Sequence, residues 1–255
     1  MGGPCDRRAQ TVRRYAAVLL LVAVACVATP GTGIAQASPK AIRFAPPLDR
    51  TLAYRVVQYV GTGKTQRRFE SVRHLRFAPD GGGYRLTVTL RDVTGEGPPP
   101  AVARYRAALA PLIGVTQHMR IDRNGRIIAI DNMPDVWAAF MQGQQALLAL
   151  LGQDAATRAA IDYIGGLDER ERVAVLAGDV QPLMLFASGT PLPTMRVEDD
   201  SDAANILFKE EDQDNGIVAH YTVMRATGLV YAAQRLIDRP PQKVRETRLL
   251  SGVAE

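Results

Sequence analysis

A block with helical periodicity, flanked on both sides by strand-like segments, is the feature that most constrains how this chain folds. In the first part of residues 133–187, apolar side chains recur at spacings of three and four residues, which is the period of an amphipathic helix. In residues 52–91 and 195–250 apolar and polar residues alternate, which is the period of a half-buried strand. A sheet and an amphipathic helix must each bury an apolar face. This order therefore predicts one core that both strand sets share with the helices.

Turn signals divide the regions on either side of this block into separate elements. The dipeptide Asn124-Gly125 predicts a hairpin over residues 117–131, because both turn residues accept positive φ. A proline suited to the first helical turn predicts a short helix over residues 100–110. We therefore expect an α+β fold in which a curved antiparallel sheet of about seven to nine strands wraps the central helical insert, residues 133–187.

The first 37 residues have the pattern of a secretory signal peptide. Four arginines come first, and the apolar run that follows, residues 16–27, has 12 residues, whereas a membrane-spanning helix needs about 20. Small residues then precede the expected cleavage between Ala37 and Ser38. We expect residues 38–255 to form a single exported domain, periplasmic or secreted, with no transmembrane helix in the mature chain.

Two alternative interpretations of this N-terminus stay open. In the first, Cys26 carries a lipid and the residues after it form a tether to the membrane. In the second, Arg13 and Arg14 belong to a twin-arginine signal, although Tyr15 and Ala16 follow them in place of the usual apolar pair. Both alternatives still send the domain out of the cytoplasm.

Removal of the signal peptide changes what the composition implies. It leaves 27 Lys and Arg against 25 Asp and Glu, a formal net charge of +2, so the sequence gives no support for a nucleic-acid partner. Both cysteines, Cys5 and Cys26, lie in the removed segment. The mature domain would therefore have no disulfide, no thiol nucleophile and no cysteine metal ligand.

The sequence GTGKT at residues 61–65 resembles the start of a phosphate-binding loop but lacks two of its requirements. The first glycine of such a loop would fall at Gln58, inside a predicted strand. The loop must also lead into a helix, whereas residues 67–77 have no helical period. We interpret GTGKT as a hairpin turn and expect no nucleotide partner.

Other motifs do not reach the pattern of a metal site or a catalytic site. The three histidines, His74, His118 and His220, lie far apart on predicted strands and lack metal-ligand spacing. The serines lack the sequence context of an activated nucleophile. We interpret a group of acidic residues as solvated turns, with a surface calcium site as the alternative. These residues are Asp199, Asp200, Asp202, Glu210, Asp212 and Asp214. We expect no catalytic residue, no metal and no cofactor, with an unrecognised hydrolase as a further alternative.

The apolar stripe of the first predicted helix in the insert is the candidate ligand-binding site. It consists of Trp137, Phe140, Met141, Leu147, Leu148 and Leu151. These side chains would either line a cavity for an apolar or lipid-like ligand, or form ordinary core against the sheet. The arginines on the strands, Arg67, Arg73, Arg85 and Arg91, are expected to lie in solvent.

Three segments resemble a group of exported bacterial proteins of unknown function. They are GVTQHMRIDRNGRIIAID at 114–131, LAGDVQPLMLFASGTPLP at 176–193 and TGLVYAAQRL at 227–236. The resemblance covers most of residues 45–250 and implies a fold and a compartment. In its organisation the chain is more distantly similar to carriers that move lipoproteins or lipids between membranes, in which a half-barrel sheet wraps helices.

Two functions follow as expectations. In the first, the exported domain is a non-catalytic protein that binds an apolar or lipid-like ligand between sheet and helices. In the alternative, it is a cell-envelope protein with a filled core that acts through its surface on a protein partner.

The expected cleavage site predicts that the exported protein begins with Ser38. The substitution Ala37→Leu should leave the signal peptide attached, because the peptidase accepts only small side chains before the cut. Intact-mass measurement of the exported protein checks this, with Gln36→Leu as a control that should still be cleaved. A mature chain that begins with a lipid-modified Cys26 would contradict the prediction.

Overall fold

The computed structural model describes residues 42–48, 50–151, 155–189, 191–192, 194–239 and 242–253. The expected signal peptide, the cleavage site between Ala37 and Ser38, and Cys26 lie outside the described residues.

In the described residues, ten strands and four α-helices follow one another in the predicted order of strands, helices and strands. The first strand set, with its short helix, comprises β1 (Leu52–Val60), β2 (Arg67–Asp80), β3 (Gly83–Glu96), α1 (Pro99–Leu109), β4 (Thr116–Ile121) and β5 (Ile127–Ile130). The insert holds α2 (Met133–Leu151), α3 (Ala155–Gly165) and α4 (Glu169–Ala177). The second set comprises β6 (Met195–Asp199), β7 (Asn205–Asp212), β8 (Ile217–Met224), β9 (Val230–Arg239) and β10 (Gln242–Gly252). In the described residues no helix combines the length and the apolar character needed to cross a membrane.

All ten strands form one antiparallel sheet that does not close, in the order β5-β4-β3-β2-β1-β10-β9-β8-β7-β6. The first five strands meander outward from β1 and the last five return inward to β10. Pairing of β1 with β10, for example Tyr54 opposite Leu250, joins the two sets in the middle of the sheet. The α+β fold with one sheet around the helical insert is confirmed, although the sheet has ten strands instead of seven to nine.

The strand that the sequence pattern does not resolve as a separate element is β6, at the edge of the sheet. Only Met195 of its five residues is buried, so it lacks the apolar alternation that marks an internal strand. Its register with β7 is also interrupted between Val197 and Asp199. The exposed charges on this strand are typical of a protected edge.

The GTGKT segment is confirmed as a hairpin turn. Residues Gly63–Thr65 form a single 3-10 turn between β1 and β2, which pair antiparallel. The hydroxyl of Thr65 donates a hydrogen bond of 2.9 Å to the carbonyl of Thr62. A strand, β2, follows the turn where a phosphate-binding loop would lead into a helix.

The core has a main cluster and a second cluster, and the helical insert contributes to both. The main cluster joins inward side chains of β1–β5, such as Phe77 and Met119, to Val136 of α2 and to Leu250 of β10. The second cluster lies on β6–β9 and includes Phe186, from the end of the insert, and Ile42. Both strand sets therefore share the main cluster with the helices, as the order of elements predicts.

The segment before β1 crosses both clusters. Ile42 packs in the second cluster, whereas Phe44 packs in the main cluster, where its ring meets the ring of Tyr84 edge-on at 5.2 Å. The N–H of Ala45 donates to the carbonyl of Thr227 at 3.0 Å, in the loop between β8 and β9. These contacts fix the extended leader against the sheet.

The β4–β5 hairpin turn is a docking point for the insert. Gly125 has a φ of 73° and is buried, and its carbonyl accepts a hydrogen bond of 3.0 Å from the side chain of Gln181. A Cβ at this position would overlap Ala187 and lie 3.1 Å from the Cβ of Met184. The turn therefore needs glycine for its backbone conformation and also for its contact with the insert.

We predict that Gly125→Ala lowers the free energy of unfolding by about 3 kcal/mol, because it adds a clash with the insert to the cost of a left-handed backbone. Gly81→Ala is the matched control, since Gly81 has a φ of 52° and open space around its Cβ position. The control should lose only about 1 kcal/mol. Urea unfolding of both variants checks this, and equal losses would show that the contact with the insert contributes nothing.

Candidate functional site

The six residues of the predicted stripe lie along α2 but occupy two environments. Trp137, Phe140 and Met141 pack with the main cluster. The Trp137 ring lies 5.0 Å from that of Phe140, and the guanidinium carbon of Arg172 lies 5.0 Å from the centre of the Trp137 ring. Leu147 and Leu148 are buried outside both core clusters, and Leu151 is half-buried. Only the first half of the stripe therefore belongs to the main cluster.

Trp137, Phe140 and Met141 pack as core side chains. Two depressions lie at the surface, one of about 580 Å³ beside the start of α1 and one of about 290 Å³ beside the β1–β2 turn. None of the six stripe residues lines either depression. Neither depression therefore gives direct access to the stripe.

A row of polar residues crosses the same face of the sheet as the core. The register places Glu210, Ala219, Arg235, Glu246 and Gln58 opposite one another on β7, β8, β9, β10 and β1. Residues directly opposite one another share a face, and Glu210, Ala219 and Glu246 are all buried. The row therefore belongs to the inner face of the sheet.

Further polar side chains adjoin this row on the inner face. Together they form the inner polar belt, defined here as Tyr54, Gln58, Ser71, Arg73, Asp179, Glu210, Tyr221, Arg235, Glu246 and Arg248. Asp179 comes from the insert and all the others come from strands. The belt contains three arginines and three carboxylates, and it lies beside the apolar core.

Arg248 joins β10, β1 and the insert. Its Nε donates to Glu246 at 2.6 Å, while its Nη1 donates to the hydroxyl of Tyr54 and to the carbonyl of Asp179, each at 3.0 Å. The other carboxylate oxygen of Glu246 accepts from Gln58 at 2.6 Å. These charge-assisted hydrogen bonds satisfy groups that would be costly to bury alone.

Arg73 forms the second ion pair of the belt, and the expectation that it lies in solvent was wrong. Its side chain is 8% exposed, donates to the hydroxyl of Ser71 at 2.7 Å and pairs with the carboxylate of Asp179. Arg85 and Arg91 are exposed as expected, and Arg67 is half-buried. Arg73 points inward because it is in phase with the core residues of its strand, and the partner that compensates its charge comes from the insert.

Protonation in the belt follows from burial and from these partners. Burial alone raises the pKa of the Glu246 carboxyl, but the charge and hydrogen bond of Arg248 and the hydrogen bond of Gln58 lower it below its ordinary value. Burial lowers the pKa of Arg248, and Tyr54, Glu246 and Asp179 raise it further than burial lowers it. Both groups are therefore charged at neutral pH.

Two tyrosines beside these ion pairs are held in the neutral form. Burial, together with the hydrogen bond of 2.6 Å that its hydroxyl donates to Glu210, raises the pKa of Tyr221. Burial raises the pKa of Tyr105, on α1, to about 12. Neutral hydroxyls can donate as well as accept hydrogen bonds.

Two buried polar atoms lack a hydrogen-bond partner among the described residues. They are Nε of Arg235, in the inner polar belt, and Oε1 of Gln117, on β4. A buried polar atom without a partner loses its hydration without replacement, so each marks a place where a polar group of a ligand would be stabilised.

The histidines and the acidic turns make local contacts in the described part of the chain. His220 lies 2.9 Å from Glu198 on the exposed face, and His74 and His118 lie on β2 and β4. Carboxylates of the acidic turns accept local hydrogen bonds, as Asp202 does from the N–H of Ala204. No group of three or more His, Cys, Asp or Glu in the described part of the chain is placed to hold a metal ion.

No protein-family model matches this chain, and a search of curated proteins finds no relative of it.

We predict that the Glu246 carboxylate makes stability depend on pH. Because its pKa in the folded protein lies below its ordinary value of 4.5, its contribution is present above about pH 4.5 and is lost as the pH falls through the folded-state pKa. The variant Glu246→Gln should lose about 3 kcal/mol at pH 7 and show a flatter loss of stability on acidification.

Urea unfolding at pH 7 and at several acidic pH values measures this effect. The control is Glu96→Gln, which removes a carboxylate that is 72% exposed and pairs with Arg68 at the surface. It should change stability little at any pH, because exposed ion pairs contribute little. If the free energy of unfolding of Glu246→Gln depends on pH in the same way as that of the unmodified protein, the prediction is wrong.

Proposed function

We propose that this protein is an exported, non-catalytic binding protein for an apolar or lipid-like ligand, and that the ligand occupies the interior between the sheet and helices α2 and α3. The observation that carries the proposal is an unclosed sheet whose inner face holds an apolar core under helices, with a polar belt beside it. An amphiphile has the same division between an apolar part and a polar end. The pattern of the first 37 residues supports an exported location.

Ligand entry in this proposal requires movement of the helical layer. Helix α3 packs chiefly on α2 and places Ile164 in the main cluster. Apolar contacts of this kind are non-directional, so an acyl chain can replace side chains at the interface without leaving polar groups unsatisfied.

The residues around this interior suit an adaptable site. Met119, Met133 and Met184 are buried in the main cluster, and Met141 packs against it. Methionine side chains are unbranched and polarizable, so they fill irregular spaces and rearrange at low cost. This composition supports a site that accepts chains of varying shape.

The filled interior favours a second candidate, a cell-envelope protein that acts through its surface. On the helical layer, Leu150 is 51% exposed and Tyr163 is 66% exposed. A protein partner could cover these two side chains. A photo-crosslinking residue at position 163 should then trap one specific partner in cells. The same photo-crosslinking residue in place of the exposed Arg170 of α4 is the control and should not trap that partner.

We predict that an acyl chain brominated near its middle quenches the fluorescence of Trp137, because bromine quenches tryptophan on contact. Trp137 is the single tryptophan of the chain and lies in the stripe, so the emission reports on this site alone. Titration with a brominated 16-carbon fatty acid should give saturable quenching, and the unbrominated acid should give none. Native mass spectrometry of exported protein, before and after delipidation, should show the mass of a bound ligand only before.

A pair of substitutions on α2 gives a matched control. Leu148→Asp places a charge at a buried position of the stripe and should abolish quenching, whereas Leu150→Asp places the same charge at an exposed position and should not. Circular dichroism verifies that both variants fold. The absence of quenching at saturating acyl chain in the unmodified protein, together with an unchanged mass on delipidation, would overturn the proposed function.

A further inference from the structure

Among the described residues, Arg235 is the arginine of the inner polar belt that lacks a direct partner. It lies on β9, opposite Glu246 on β10 and opposite Ala219 on β8. Its Nε is buried without a hydrogen-bond partner, and no carboxylate lies within ion-pair distance of it in the described part of the chain. The residue as a whole is half-buried.

The three carboxylates of the belt are already bonded to other donors. Glu246 accepts from Arg248 and Gln58, and Asp179 pairs with Arg73. Glu210, two strands from Arg235, accepts from the hydroxyl of Tyr221. Glu246 therefore acts on Arg235 through space, without a hydrogen bond that would satisfy its Nε.

The residue opposite Arg235 on β8 offers no polar partner to the guanidinium. Ala219 presents only a methyl group on the β8 side of the guanidinium, between Arg235 and Glu210 in the same row. A guanidinium has a planar set of donors that matches the two oxygens of a carboxylate or a phosphate. An anionic group at this point would satisfy the unpaired nitrogen and add a charge-assisted hydrogen bond.

We propose that Arg235 binds the anionic polar end, a carboxylate or phosphate, of the lipid-like ligand. The inference rests on the proposed function and specifies the ligand class as an anionic amphiphile. The apolar part of such a ligand occupies the space under α2 and α3, and its charged end lies against the inner polar belt. A neutral amphiphile would leave the same nitrogen with a weaker partner.

The experiment compares a brominated 16-carbon fatty acid with its methyl ester at pH 8, where the free acid is ionised. Quenching of Trp137 and native mass spectrometry give the affinity of each ligand. The unmodified protein should bind the acid about tenfold more tightly than the ester, because a charged partner strengthens the hydrogen bond. Arg235→Gln should bind both with equal affinity.

The matched control is Arg245→Gln on the outer face of the sheet. Arg245 is exposed, and its guanidinium carbon lies 4.6 Å from the centre of the Tyr59 ring, so the substitution removes the same charge away from the inner face. This variant should keep the preference for the acid. If both variants lose the preference for the acid over the ester, net charge and not Arg235 determines that preference.

The remaining outcomes separate this inference from the proposed function. Equal binding of acid and ester by the unmodified protein overturns the role of Arg235 and leaves the binding of acyl chains intact, and this result does not depend on whether a variant folds. If neither ligand binds, the proposed function fails as well. Inorganic phosphate that displaces the acid would show that a free anion suffices, whereas a lack of displacement would show that headgroup and chain bind together.

Discussion

The pairing of β1 with β10 is the interaction on which the rest of the structure depends. It joins a strand that begins at Leu52 to one that ends at Gly252, so two separate meanders become one sheet with a shared inner face. Without this pairing, each half would have an additional open edge and only part of the main core. The connection from β5 to β6 must then cross the sheet from edge to edge, and the helical insert fills that path.

The same pairing creates the inner polar belt. Arg248 and Tyr54 are 194 residues apart in the chain, yet Nη1 of Arg248 lies 3.0 Å from the hydroxyl oxygen of Tyr54, because β10 lies beside β1. Asp179 attaches the insert to this belt through its carboxylate and its carbonyl. The insert is therefore held at its end by polar contacts, and α2 and α3 cover the core mainly through apolar contacts. This difference suits a helical layer that moves at one end and stays attached at the other.

The fold could be predicted from the sequence to the level of its elements. Alternation identified most strands, Asn124-Gly125 identified the β4–β5 hairpin, and three- and four-residue spacing identified the apolar face of α2. The edge strand β6 was not resolved because an exposed strand has little apolar alternation to detect. Whether the stripe packs as core or serves as a ligand site depends on neighbours from other elements, which helical spacing does not reveal.

The belt had a sequence signal that by itself was ambiguous. In β10, Glu246 and Arg248 are in phase with Val244 and Leu250, and both faces of this strand carry charged residues. Strand parity alone would place these charges inside. A buried charge is stable only with a partner, and the partner of Arg73 is 106 residues away in the chain.

The pattern of apolar residues and turns determined which segments became strands and helices, because those preferences act between near neighbours. Only the tertiary structure decided which charges lie inside and which arginine lacks a direct partner among the described residues, because long-range pairing sets their surroundings.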